Sequence, residues 1–146
     1  MRRDACKDWV EVTVRWSDMD GLRHVNNARY FTFFEMARIH LFEQIVTGVP
    51  WHEAKQGPVL ASVACNFRQP LSYPAQIEVG STVTKISRRS FRVDHAIFLG
   101  GTDTLAADGH SVVVWVDRET GQSVELSKAL LQALGAFVAP QPRGSD

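Results

Sequence analysis

A short stretch of this chain gathers the residue types that acyl chemistry requires. Asp18 and Asp20 stand two residues apart, Gly21 and His24 follow, and Asn26-Asn27 leads into a long run of helix-forming residues. A carboxylate can attack a carbonyl carbon or draw a proton from water. The first turn of a helix carries free N–H groups and a partial positive charge. Those groups can hold the oxyanion that forms at an attacked carbonyl without reorganising as the reaction proceeds. A thiolate departs readily, so a strong general acid is less necessary for a thioester than for an amide. These are parts that a thioester hydrolase would need.

Each of these residues also has a plainer reading. Asp20 alone could cap a turn, and Asp18 suits binding of loop N–H groups better than it suits chemistry. His24 can either orient the site or pack and hydrogen-bond. Asn26 and Asn27 are first of all helix-start residues, either of which can cap with its short side-chain oxygen. Glu35 and Arg38 read as an i,i+3 ion pair, with the further option that a Glu in a buried helix fixes the active loop. His95 and His110 sit in strand patterns without an obvious partner and read as structural.

The elements that must position this stretch follow from periodicity. Trp9 to Trp16 alternates, with Val10, Val12, Val14 and Trp16 on one side, which predicts a half-buried strand. Asn27 to Val46 predicts one long helix, so rich in apolar residues that protein should surround most of it. Gly48 and Pro50 end it, and Trp51 to Gln56 suggests a short helical turn. Val59 to Phe67, Ile77 to Ser87, Phe91 to Leu99 and Leu105 to Asp117 predict long strands. The first should place Val59, Ala61, Val63, Cys65 and Phe67 on one face. Ser127 to Phe137 suggests a short C-terminal helix capped by Ser127. Consecutive long strands with short turns favour an antiparallel sheet, and one apolar helix with one sheet makes an α+β domain in which the sheet wraps the helix.

Bulk properties agree with one soluble globular domain, expected over residues 1–138 with a flexible tail over 139–146. Of the 146 residues, 45% are apolar and 22% charged, too apolar for disorder. Lys plus Arg and Asp plus Glu number 16 each, a balance that argues against a protein built to neutralise nucleic acid. Cys6 and Cys65 give neither a disulfide framework nor metal-ligand spacing, so no metal is expected. The polar N-terminus does not resemble a signal peptide, and no apolar run suffices to span a membrane. The expected compartment is the cytoplasm.

Asp18-Met19-Asp20, then His24-Val25-Asn26-Asn27, then Tyr30 and Glu35, closely resembles the hot-dog-fold thioesterases, in particular the 4-hydroxybenzoyl-CoA thioesterase and bacterial acyl-CoA thioesterase group. The order of elements from Val10 to about Phe137 matches too, so the resemblance covers nearly the whole chain. It implies an antiparallel sheet wrapped around one long central helix, and hydrolysis of an acyl-CoA or related thioester. Asp20 matches the family's catalytic aspartate. Asn27 falls where the family supplies a backbone oxyanion donor. His24 matches a histidine that the acyl-carrier-protein branch uses, but that branch has an asparagine two residues after its aspartate where this chain has Leu22. The resemblance also implies a homodimer or homotetramer, with two sheets joined edge to edge and sites between protomers.

Further expectations concern the substrate. Phe31, Phe34 and Val59, with Val63 and Trp115, could line an aromatic or a fatty pocket. Arg88 and Arg89, at a turn between strands, are candidates for the phosphates of coenzyme A, which enters as part of the substrate with no separate cofactor. The competing functions are a hot-dog hydratase or dehydratase, a non-catalytic acyl-CoA-binding module, and a metal hydrolase using Asp18, Asp20 and His24.

Overall fold

The computed structural model describes residues 1–140, so that residues 141–146 of the expected tail lie outside the described part. Its elements are β1 (Asp8–Val14), α1 (Asn27–Ile45), β2 (Gln56–Phe67), β3 (Ala75–Ile86), β4 (Ser90–Leu99), β5 (Leu105–Asp117) and α2 (Lys128–Gly135). The strands form one antiparallel sheet in the order β1-β3-β4-β5-β2. Helix α1 packs on one face of this sheet, which is the hot-dog arrangement that the motif implied.

Alternation decides which side chains meet the helix. In β1, Val12 and Val14 turn inward and are buried, while Glu11 and Thr13 stay exposed. The strand stops at Val14 rather than at Trp16. Arg15 and Asp18 cap a single 3-10 turn over Trp16–Asp18, and Trp16 projects into solvent. Around the first half of α1 lie Val12, Val14, Val25, Tyr30, Phe33 and Phe34 with Ile77, Val79 and Ile97. A second cluster around Leu41, Phe42 and Ile45 takes in Phe91, Val113 and Trp115 and is closed by Leu130 and Leu134 of α2. Ser127 caps α2, its Oγ accepting from the Leu130 N–H at 3.1 Å.

A short polar chain lies beneath α1. Arg38 Nη1 donates to Ser111 Oγ at 2.9 Å, Ser111 Oγ lies 3.0 Å from His95 Nε2, and His95 Nδ1 lies 2.9 Å from Ser81 Oγ. A hydroxyl has one hydrogen and two lone pairs, so Ser111 can accept from Arg38 and still serve Nε2, and both ring nitrogens of His95 are satisfied by serine hydroxyls in either tautomer. His95 is thus a buried histidine with two partners, although its strand pattern offered none.

Four expectations need correction. Protein does not surround α1: the buried stripe is Tyr30, Phe33, Phe34, Ala37, Arg38, Leu41, Phe42 and Ile45, at helical spacing. Phe31 and Met36, at 36% and 40% exposure, lie off that stripe on parts of the helix surface that a single sheet does not reach. The Glu35–Arg38 ion pair does not form, because Arg38 turns into the core to Ser111 while Glu35 stays exposed. Trp51 to Lys55 makes turns rather than helix, and Gln56 already belongs to β2.

The last correction concerns β2. Its register against β5 slips between Leu60 and Ser62, so one extra residue, Ala61, enters the strand. Such a bulge reverses the facing of everything on one side of it. Leu60 pairs with buried Val113, and beyond the slip Val63 pairs with buried Ser111. Val63, Cys65 and Phe67 therefore share the helix-facing side with Leu60 and Pro58, and Val59 faces the other way. Among the described residues, no helix is long and apolar enough to cross a membrane.

Candidate active site

The segment between β1 and α1 folds back on itself as a small hairpin. The Asn26 N–H donates to the Asp18 carbonyl at 2.9 Å, Met19 and Val25 form a bridge, and the Asp20 N–H donates to the His24 carbonyl at 3.0 Å. The Arg23 N–H returns to the Asp20 carbonyl at 3.1 Å, and Arg23 has φ of 62°. This is a three-residue hairpin loop, a type I turn followed by one left-handed residue. Glycine is the usual choice there, and Arg23 carries the strain of a side chain at positive φ, of the order of 1–2 kcal/mol.

The hairpin is clamped from both sides. The Val25 N–H reaches the Leu71 carbonyl at 2.7 Å, and Ser72 Oγ donates to the Arg23 carbonyl at 3.0 Å. Asp18 is the inner anchor. One of its oxygens accepts from the Arg15 backbone N–H at 2.7 Å, and the other from the Arg15 guanidinium at 2.9 Å with Arg29 at 3.7 Å. Burial works to raise the Asp18 carboxyl, but the hydrogen bonds from Arg15 and the charges of Arg15 and Arg29 outweigh it and hold the carboxyl below the ordinary aspartate range. Both oxygens are committed, which fits the backbone-binding reading of Asp18.

Asp20 is differently placed. It is half-buried, and its Oδ1 accepts from the Leu22 N–H at 2.9 Å. Among the described residues, Oδ2 has no hydrogen-bond partner. The side chain is therefore oriented by one bond and open at one oxygen. His24 lies across the hairpin from Asp20 through the backbone bond, and its exposed ring makes no hydrogen bond to Asp20 among the described residues.

The helix start supplies the donor. Asn26, not Asn27, is the cap, its Oδ1 accepting from the Ala28 N–H at 2.9 Å, and the Arg29 N–H is taken by the Asn26 carbonyl at 2.8 Å. The Asn27 N–H, the first of the helix, is left without a protein acceptor among the described residues, and it lies at the positive end of the macrodipole.

A cleft of about 210 Å³ opens at the helix start, lined by His24, Val25, Asn27, Tyr30, Phe67, Arg68, Gln69 and Pro70, while Asp20 is not among its lining residues. Tyr30 and Phe67 meet edge to face at 5.0 Å between ring centroids and form its apolar wall. The 67–70 wall was not read from the sequence. Its one signal was Pro70 breaking the pattern just after β2.

Other candidates lie elsewhere in the protomer. Phe34 is buried against His95, and Phe31 lies on the open flank of α1. Val59, expected to line a pocket, is turned from the helix by the bulge. Arg88 and Arg89 follow the end of β3 opposite the one at which Ala75 pairs with Val14, so they stand a strand's length from Asp20. Arg88 is ion-paired with Glu125, and Arg89 Nη1 donates to Ser123 Oγ at 3.1 Å. Both hold the 123–126 segment onto the β3–β4 turn. Among the described residues, no three His, Cys, Asp or Glu side chains gather as a metal would require.

Comparisons with known proteins bear on this geometry. The family model described as the thioesterase-like superfamily matches residues 14–134. The long-chain acyl-CoA thioesterase FadM of Escherichia coli is 26% identical over 130 residues, which cover 88% of this chain and 98% of that protein. A thioesterase from Thermus thermophilus, solved as a complex with coenzyme A and zinc, is similar at a TM-score of 0.80 and 28% identity, over 92% of this chain and 96% of that one. A protein from Pseudomonas aeruginosa is similar at a TM-score of 0.87 and 28% identity, over 94% of this chain and 96% of that one.

Proposed function

This chain belongs to the thioesterase-like superfamily and is a thioesterase, and from that premise we propose that it hydrolyses an acyl-coenzyme A to free acid and thiol, with Asp20 as the reacting carboxylate and the Asn27 N–H as oxyanion donor. The assignment rests on one open carboxylate oxygen, Asp20 Oδ2, in the clamped hairpin and on one open helix-start N–H, that of Asn27, where the hairpin runs into α1. The thioester carbonyl would enter the cleft beside Tyr30 and Phe67. Its oxygen meets the Asn27 N–H, and the carbon faces Asp20. Asp20 then attacks the carbon, giving a mixed anhydride that water opens, or takes a proton from a water that attacks instead. In both routes the C–S bond breaks and the thiolate leaves with its electron pair. His24 lines the cleft beside this path as an orienting group.

An acyl-CoA is the substrate class because the Escherichia coli relative is named for it and the Thermus thermophilus structure holds coenzyme A. In this proposal no phosphate contact falls on Arg88 or Arg89 of the same chain. Two copies of the chain are expected to assemble with sheets joined through the free edge of β2, since an unprotected edge strand invites pairing. The test is thiol release over a panel of acyl-CoAs of increasing chain length and of aryl-CoAs. Turnover without thiol release, seen instead as a change in enoyl absorbance, would reassign the site to hydration or dehydration. Binding without either would make it a receptor.

A further inference from the structure

The helix-facing side of β2 is apolar along its whole length and yet stays partly open. Pro58, Leu60, Val63, Cys65 and Phe67 lie on it, and Leu60 and Phe67 are 42% and 46% exposed. The core beneath α1 is built from β1, β3, β4 and β5, and no β2 side chain is among its buried residues. A seam therefore runs between α1 and β2. At one end it opens into the cleft at Asn27, Tyr30 and Phe67. At the other it opens into a space of about 140 Å³ walled by Ile39, Phe42, Trp51, Pro58 and Leu60. Phe31 stands four residues after Asn27 and four before Glu35, on the helical line that joins the two openings. The bulge at Ala61 is what turns Pro58 and Leu60 toward the far opening; without it Val59 and Ala61 would take that side. Two charges border the far opening, and they compensate each other. Burial lowers the Arg38 guanidinium below its ordinary range, the Glu35 charge opposes that shift, and Arg38 Nη1 is bonded to Ser111. The rest of the seam suits an apolar occupant.

We propose that this seam is the acyl groove of the Asp20 site, with the thioester at the Asn27 N–H and the end of the acyl chain against Leu60, Phe42 and Trp51. Two lengths agree on what it holds. Along α1, Asn27 to Phe42 spans about 22 Å at the helical rise per residue. Along β2, Phe67 back to Leu60 spans about 20 Å once the bulged residue is discounted. An alkyl chain of single C–C bonds advances about 1.3 Å per carbon, so the groove takes roughly fourteen to eighteen carbons. An aryl acyl group would fill only the cleft end and leave Leu60 uncovered. A chain that covers the whole seam removes its apolar surface from water, and binding so far from the reacting carbonyl helps to position it. The groove rests on the hydrolase reading above and adds the class of thioester, that of a long-chain aliphatic acid. It also gives Leu60 the role of setting the chain length.

The test is thiol release from saturated acyl-CoAs, butanoyl to octadecanoyl, and from benzoyl-CoA, for wild type, Leu60→Trp and Leu60→Ala. Each thioester is kept below its micellar concentration. Wild type should reach its highest kcat/KM between tetradecanoyl- and octadecanoyl-CoA. Leu60→Trp fills the far opening and should lower kcat/KM for hexadecanoyl-CoA by roughly tenfold or more, with butanoyl-CoA within about twofold of wild type. Leu60→Ala lengthens the groove and should favour octadecanoyl- over tetradecanoyl-CoA more than wild type does. Leu60 is part-exposed, so both variants are expected to fold, and far-ultraviolet circular dichroism checks this. Where Leu60→Trp fails to fold, Leu60→Ala carries the test. A wild-type optimum at butanoyl- or benzoyl-CoA would overturn the groove and leave the hydrolase reading standing. So would a Leu60→Trp variant that loses all chain lengths equally. An unchanged chain-length profile in Leu60→Trp with altered sedimentation would give the seam to a second copy of the chain and overturn the groove. No thiol release from any thioester would sink the hydrolase reading instead. Calorimetry with hexadecyl-CoA, a thioether that cannot be hydrolysed, then decides the groove alone: binding that Leu60→Trp weakens supports it, and no binding overturns it.

Discussion

The ring of Phe34 lies nearly flat on the imidazole of His95, with centroids 4.8 Å apart and planes 19° from parallel. Phe34 comes from the first half of α1 and His95 from the middle of β4, so this contact fixes how the helix sits on the sheet. The same His95 is bonded by Ser81 and, through Ser111, to Arg38, one helical turn beyond Phe34. Apolar stacking and a polar chain thus anchor one helix at neighbouring points. The helix start that presents the Asn27 N–H is held through these anchors.

This burial gives stability a dependence on pH. Burial first, then the nearby Arg38 charge and His110, push the His95 pKa from the usual 6.5 down to about 3. Between those two values the unfolded chain binds a proton that the folded chain refuses. Stability therefore rises with pH across that window and falls as pH drops from about 6.5, with a slope of up to about 1.4 kcal/mol per pH unit from this one group. Urea unfolding between pH 6.5 and 4.5 should show the loss. A His95→Gln variant, which keeps hydrogen bonding without the titration, should show a flatter profile over that interval. Equal slopes would mean that other groups set the dependence.

Gly109 should tolerate no side chain. A Cβ built there would lie 2.0 Å from the Ala64 carbonyl oxygen and 2.9 Å from Phe34 Cε2. The ring could shift, but only off His95, and the carbonyl belongs to the β2–β5 ladder. Gly109→Ala is expected to cost about 1–3 kcal/mol, as overpacking of a tight core does, and to show that cost as a lower urea midpoint. Since the strain acts on Phe34 and so on α1, turnover should fall as well. An unchanged midpoint would show that the close approach relaxes freely.

The sequence made the fold legible where periodicity is local. The alternation of β1 and the strand run ending at Asp117 survive into the structure because each is set by which face is wet. The extra residue in β2 is invisible to that logic: nothing in Leu60-Ala61-Ser62 marks which residue will be left unpaired, and Val59 changed faces as a result. The open flank of α1 was hidden for a similar reason. Apolar residues on two sides of a helix say that both are to be covered, not that one chain covers both. The chemistry was more legible than the packing, since a loop of Asp, Gly, His and Asn before a helix has few uses. Which asparagine caps and which is left with a free N–H depends on a single turn, and it is the fold of that turn that separates Asn26 from Asn27. The arginines at 88 and 89 matched phosphate chemistry by type alone, with no information on which end of the sheet they would occupy.

Asp18 should matter to the site without reacting. Its carboxyl is held below the ordinary range by Arg15 and Arg29 against the effect of burial, so its contribution is present above the unfolded value near 4 and is lost as pH falls through the lower folded one. Asp18→Asn would forfeit the charge-assisted bonds to Arg15, lower the urea midpoint and loosen the hairpin. Between pH 6 and 8 the stability loss should be constant. The Michaelis constant and turnover should both worsen by roughly tenfold, because the loop that aims Asp20 is less well fixed. A variant that is less stable yet fully active would separate the anchor from the chemistry.

Asp20 carries the decisive prediction. Its Oδ1 is oriented by the Leu22 N–H and its Oδ2 is open, so the side chain is set up to present one oxygen. Asp20→Asn keeps the shape and one carbonyl oxygen for that N–H, and the fold should survive. It removes the charge that both hydrolytic routes need, so turnover on the best acyl-CoA should fall by roughly a hundredfold or more. A folded Asp20→Asn protein with wild-type thiol release would remove Asp20 from the chemistry and leave the helix start as the whole site. The wild-type enzyme then distinguishes the routes. One turnover is run in heavy-oxygen water with enzyme in excess, and the peptide containing Asp20 is weighed by mass spectrometry. If Asp20 attacks the thioester and water opens the anhydride at the Asp20 carbonyl, one labelled oxygen enters that peptide. If Asp20 only activates water, the label appears in the released acid and the peptide keeps its mass. Water opening the anhydride at the acyl carbon also labels only the acid. Trapping the anhydride with hydroxylamine as an Asp20 hydroxamate tells that case from general-base hydrolysis, since only the covalent route forms an activated carboxyl on the enzyme.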